Sequence, residues 1–142
     1  MIDVDDLREI NTAQGHLAGD RALESVAAAL KRSIRDYDVA ARFGGDEFCV
    51  LLPETELEGA RVVAERMRAL VEESTARSDA PVTISIGAVS YRGPGATPDE
   101  LLGRADRAAY YAKASGRNAV AAAPVLSPAE EADRILRDLA VD

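Results

Sequence analysis

The sequence holds one cysteine, Cys49, and one histidine, His16, among 142 residues. A lone thiol closes no disulfide within the chain. Its apolar, strand-like setting fits plain core in a reducing, cytoplasmic compartment. A single imidazole builds no metal centre by itself. Long hydrophobic runs are missing as well. None approaches the roughly 20 residues that span a bilayer, and no signal-peptide pattern opens the chain, so no direct membrane insertion is expected. Basic excess is also lacking: 17 lysines and arginines face 25 aspartates and glutamates, a net charge of −8. That excludes broad nucleic-acid or anionic-membrane binding, which needs a basic face. A small anionic ligand stays open, provided a metal or local cations receive it.

What is present suits one globular domain, with 47% hydrophobic and 30% charged residues. "MIDV" reads as the end of a short strand running into acids. "INTAQGHLAGD" reads as loop-like or weakly helical. From Asp20 to Arg35, apolar residues at Leu23, Val26, Ala27, Leu30 and Ile34 mark one face of a helix. Val39 to Phe43 and Phe48 to Leu52 read as strands joined by "GGDE" in a hairpin. A second helix is expected from Glu56 to Thr75, with Ala60, Val63, Ala64, Met67, Leu70 and Val71 on its stripe. "PVTISIGAVSY" alternates as a strand, Asp99 to Ala114 is a third helix, and "NAVAAA" is a last strand. The order predicts an α/β (α+β) fold of ferredoxin-like type, one sheet with helices packed on it. Ser127-Pro128-Ala129-Glu130 carries an N-cap, a first-turn proline and a capping-box glutamate, which predicts an amphipathic tail helix. Tyr110 and Tyr111 are expected to pack.

Acids cluster at two strand ends: Asp3, Asp5 and Asp6 after the first strand, Asp46 and Glu47 at the hairpin bend. If that strand lies beside the hairpin, the two groups converge. Converged carboxylates repel unless a cation sits between them, and hard oxygen ligands suit magnesium with substrate phosphates. A solvated acidic turn is the plainer alternative. Gly44 and Gly45 would let a phosphate or base approach the backbone.

"GGDEF" at Gly44 to Phe48 resembles the name-giving signature of the GGDEF family, the diguanylate cyclases. It comes with "IDVDDLREINTAQGHLAGD", similar to the family's D-x-D-x-F-K-x-I-N-D-x-x-G-H-x-x-G-D segment. It also comes with "ADRAAYYAKASGRNAV", similar to A-D-x-A-L-Y-x-A-K-x-x-G-R-N. The resemblance implies a palm-type, nucleotide-cyclase-like domain with a central five-stranded, mostly antiparallel sheet. It implies an enzyme that joins two GTP into cyclic di-GMP with magnesium (or manganese), releasing pyrophosphate twice, and a homodimer during catalysis. Asp3 falls on the first metal-binding aspartate, Val4 on the residue whose carbonyl also touches metal, and Asp46 on the metal ligand assigned as proton acceptor. Glu47 is the second signature acid, with a supporting metal or base role. Asn11 and Asp20 fall on the guanine-reading positions, Arg8 on a phosphate-binding lysine, and His16 near the nucleotide. Lys113 and Arg117 match the pair that grips the triphosphate. "RDYD" matches an inhibitory product site through Arg35 and Asp38, with Arg66 at a further arginine position.

Leu7 and Arg8 replace the usual Phe-Lys, and Thr12 replaces an aspartate, which implies tuned binding. Family members normally begin with a helix and a longer first strand. The chain therefore reads as an N-terminally truncated domain over residues 1–123, then a linker and helical tail over 124–142. A non-catalytic module that binds GTP or cyclic di-GMP is the alternative from another class. A structural dimerisation domain is a third, and it leaves Asn11, Asp20, Lys113 and Arg117 unexplained.

Overall fold

The computed structural model describes residues 1–93 and 95–124; the tail helix expected from Ser127 lies outside the described residues. The elements run β1 Ile2–Val4, α1 Leu7–Gln14, α2 His16–Arg32, β2 Val39–Arg42, β3 Glu47–Leu51, α3 Leu57–Thr75, β4 Ile84–Ser90, α4 Pro98–Ala114 and β5 Val120–Pro124. The strands form one sheet in the order β2-β3-β1-β4-β5. All neighbours are antiparallel except β4 and β5. This is the mixed, mostly antiparallel five-stranded α+β architecture expected from the element order.

β1 is short but central. Ile2 and Val4 point into the core formed with α2 and α3, where Val26, Leu30, Met67, Val71, Ile84 and Ile86 are also buried. Strand alternation turns Asp3 and Asp5 to the opposite face. On that face α4 lies directly on β4: a β-carbon at Gly87 would fall 2.0 Å from the Ala105 carbonyl oxygen. The helix presents Ala105, Ala108, Ala109 and Ala112 to the contact, and their small side chains allow that approach. A Thr97–Glu100 capping box fixes where it begins.

The stretch expected to be loop-like or weakly helical is helical from Leu7 onward, broken only at Gly15, whose φ of 86° ends α1 and starts α2. Tertiary packing overrides weak local propensity here. Leu7 is buried, Ile10 packs on the core, and Ala18 and Gly19 are buried beneath α1. The Asn11 side chain rests on Gly19, where a β-carbon would lie 2.0 Å from Oδ1. Ala27, placed on the apolar stripe of α2, is exposed. Tyr110 and Tyr111 are also exposed, at 69% and 65%, and meet each other edge-on rather than packing into the core. Their positions lie beyond the alanine face that α4 turns to the sheet. Cys49 is half-buried, not fully core.

Candidate active site

β1 runs antiparallel to β3 with Asp3 opposite Glu47, and the Val4 N–H donates to the Asp46 carbonyl at 2.9 Å. Pairing register alone therefore brings the end of β1 against the acidic bend. The bend has its own fastening. Phe43 and Gly44 N–H groups donate to the Glu47 carbonyl at 2.8 and 3.1 Å. The Arg42 guanidinium donates to the carbonyls of Gly44 and Gly45 at 3.1 and 2.7 Å. At Gly44 the Glu47 carboxylate folds over the backbone: a β-carbon there would sit 2.6 Å from Oε2. Above Gly45 nothing lies within 4 Å of a β-carbon position, so its backbone is open to an approaching group.

Asp3 is the electrostatic centre. Burial pushes its carboxyl pKa above the usual value, the Lys113 ammonium pulls it down, and the charges of Asp46 and Asp5 push it up again. Asp3 Oδ1 is buried and takes no hydrogen bond of good geometry; its neighbour is Lys113 Nζ, an ion pair at 2.6 Å. Next to it Arg117 Nε pairs with Asp6 Oδ1 at 3.0 Å. Asp6 has left-handed backbone at the start of α1, and Arg117 has left-handed backbone after α4. Two cations from the α4 end thus close on two acids from the β1 end.

The three acids after β1 have different places. Asp3 faces the bend, and Asp6 is at the surface with Arg117. Asp5 is buried, holding Ser85, Thr83 and Asn118 by hydrogen bonds. Sequence reasoning singled out Asp3 through the resemblance but missed Asp5 as an internal anchor, along with Asn118, Arg68 and Arg42. No three acids, histidines or cysteines among the described residues are already gathered at metal-ligand spacing. The donor set nevertheless fits magnesium, which takes one or two carboxylates and completes its shell with water and phosphate. The charge of Asp46 bears on Asp3, and the cation now at Asp3 Oδ1 is the Lys113 ammonium.

The remaining expected residues fall in two groups. Arg8, His16 and Asp20 are exposed on α1 and α2, and Asn11 is half-buried with Oδ1 lacking a hydrogen-bond donor. Away from these, the Arg35 N–H donates to Asp38 Oδ2 at 2.8 Å, and the Arg35 guanidinium donates to the Tyr37 hydroxyl at 2.7 Å. Arg66 reaches the same helix end by donating to the Ser33 carbonyl. No helix among the described residues is long and apolar enough to cross a membrane.

Residues 1–119 match a family model described as "Diguanylate cyclase, GGDEF domain". Diguanylate cyclase A of Treponema denticola is 46% identical over 123 residues, covering 84% of this chain and 33% of that protein. The response regulator PleD of Caulobacter vibrioides is 45% identical over 125 residues, covering 84% and 28%. The chain therefore spans a third or less of the length of these relatives. Among solved structures, the diguanylate cyclase SiaD of Pseudomonas aeruginosa, in complex with its activator SiaC, superposes with a TM-score of 0.79 at 39% identity, covering 86% of this chain and 48% of that one. The coiled coil and GGDEF domain of DgcB from Caulobacter crescentus, in complex with c-di-GMP, gives 0.77 at 32%, covering 86% and 66%.

Proposed function

The chain belongs to the GGDEF family of diguanylate cyclase domains, and from that premise we propose that it condenses two GTP into cyclic di-GMP with release of two pyrophosphates. The observation that carries the reading is the meeting of Asp3 with the Asp46–Glu47 bend on one side and Lys113 on the other. Acids that can share a divalent cation and a lysine that can receive phosphate stand at one point of the surface.

In this reading Asp3, the Val4 carbonyl, Asp46 and Glu47 hold magnesium or manganese. A cation bound there lowers the pKa of a 3′-hydroxyl and neutralises charge developing on the phosphoryl oxygens. Lys113 and Arg117 exchange their present acid partners for phosphate oxygens and hold the triphosphate together with Arg8. Asn11 and Asp20 read guanine, an amide and a carboxylate matching its O6 and its N1 and N2 donors; His16 borders the nucleotide. Gly44 and Gly45 admit it to the bend. A 3′-hydroxyl of one GTP gives its proton to Asp46 and attacks the α-phosphorus of the other. The new P–O bond forms as the bond to pyrophosphate breaks. Two copies of the chain face each other for the two attacks. GTP supply sets this chemistry in the cytoplasm. Arg35, Asp38 and Arg66 form a product site at the end of α2, since guanidinium groups pair with phosphate and stack on guanine.

The test is direct. Protein incubated with GTP and magnesium yields cyclic di-GMP, Asp46→Ala yields none, and added product inhibits the wild type but not Arg35→Ala. Tight GTP binding without product would instead establish a non-catalytic binding module.

A further inference from the structure

Behind the proposed triphosphate site lies a polar cluster that the reaction itself leaves without a role. Asp5 is 3% exposed. Its Oδ1 accepts from the Ser85 hydroxyl at 2.7 Å. Its Oδ2 accepts from the Thr83 hydroxyl at 2.7 Å and from the Asn118 N–H at 3.1 Å. Asn118 Oδ1 accepts from Arg68 Nη1 at 2.8 Å, and its Nδ2 donates to Glu72 Oε1 at 3.0 Å. Arg68 is itself held on α3 by Glu65 and Glu72, each at 2.9 Å. One residue, Asn118, is thus tied to Asp5 just past β1 by its backbone N–H and to α3 by its side chain.

The backbone at this point is unusual. Gly116, Arg117 and Asn118 are all left-handed, with φ of 117°, 64° and 44°. Glycine adopts that region freely; arginine does so rarely. Such conformations persist only where the surroundings over-determine them, and they gather at functional sites. Here the over-determining contacts are those of Asn118. The displayed residue is Arg117, one step before it.

We propose that Asp5 and Asn118 are positioning residues: the Asn118 N–H on Asp5 and the Asn118 side chain on Arg68 and Glu72 together fix the left-handed turn that aims Arg117 and sets the α4 end in register with the β1 acids. Asp5 is not a further metal ligand in this view, because three donors already occupy its two oxygens. The inference rests on the GTP reading above and deepens it. Aiming Arg117 matters for the outer phosphates, so loss of the link weakens nucleotides in proportion to their phosphate chain. A role in stability alone would weaken all guanine nucleotides alike.

Calorimetric affinities for GTP and GMP, measured with magnesium on the whole chain, separate the cases. Asn118→Ala is expected to lose about tenfold for GTP, the scale of one charge-assisted contact, and less than about twofold for GMP. Asn118→Gly guards against failure to fold: it keeps the left-handed backbone and the N–H to Asp5, and is expected to lose about threefold for GTP alone. In an Arg117→Ala background, Asn118→Gly should add nothing further, as coupled residues do in a double-mutant cycle. Unchanged GTP affinity in Asn118→Gly, equal losses for GTP and GMP, or full additivity with Arg117→Ala would each overturn the inference while leaving the GTP reading intact. A wild type that binds no GTP would overturn both.

Discussion

Asp3 shows how a single buried carboxylate can weigh against the fold. Its carboxyl titrates above the unfolded value of 3.8, mainly because it is buried. A raised carboxyl pKa means the folded state holds the proton more tightly than the unfolded state. Stability therefore falls as pH rises from the unfolded pKa through the folded one, and the ionised group weighs against the fold at neutral pH. Asp3→Asn is expected to melt no lower than wild type at pH 7, with the difference vanishing below about pH 4, where both carry a neutral group. Magnesium with GTP should raise the wild-type melting temperature and not that of the variant. A variant that melts clearly lower at pH 7 would show that the Lys113 pair outweighs desolvation. The meeting of Asp3 with the Asp46–Glu47 bend was legible in the sequence because fixed motifs carry these residues. The separate fate of Asp5 was not. Three aspartates within four positions look alike, and what separates them is donors 78, 80 and 113 residues away in the chain.

At the scale of elements, the site depends on how closely α4 lies on β4, since Lys113 stands in the last turn of α4. At Gly87 an added β-carbon would be 2.0 Å from the Ala105 carbonyl oxygen and 2.2 Å from the Ala109 nitrogen. Both are backbone atoms, so no flexible side chain can yield. Gly87→Ala should therefore lift α4 from the sheet and lose about 2–3 kcal/mol, at the upper end of over-packing. It should weaken GTP binding too, because Lys113 moves with the helix. Denaturant melts and nucleotide titration on the same protein check both effects; unaltered stability would mean that α4 can slide along β4 despite its capping box. Periodicity revealed α3 and α4 well, since long amphipathic stripes such as Ala60, Val63, Ala64, Met67 and Val71 need no tertiary knowledge. It could not reveal why residue 87 must be glycine, which depends on what lies above it. It read α1 only as loop-like or weakly helical, an eight-residue helix shorter than the roughly 12–15 residues at which isolated helices begin to hold. What forms α1 is the Asn11–Gly19 crossing, a contact between two residues that the eye takes for loop.

For the whole molecule, the decisive feature is that the site is one-sided. The acids of β1 and the bend, and the cations of α4, converge at one point of the surface, enough for one triphosphate. Cyclic di-GMP contains two phosphodiester bonds, each made by one nucleotide attacking the other. A single copy supplies half of that symmetry, and a two-fold pair supplies all of it. Each chain also carries a net charge of −8, so pairing brings like charges together along with two anionic nucleotides. Association of the domain alone is then weak unless bound cations and the Lys113–Arg117 pair neutralise the facing surfaces. The rate law follows. At saturating GTP and magnesium, doubling the concentration of a chain that sediments as a monomer should raise the initial rate about fourfold, and the dependence should become linear where it sediments as a dimer. A linear rate from monomeric protein would mean that one copy completes both attacks, and the facing-pair geometry would have to be abandoned.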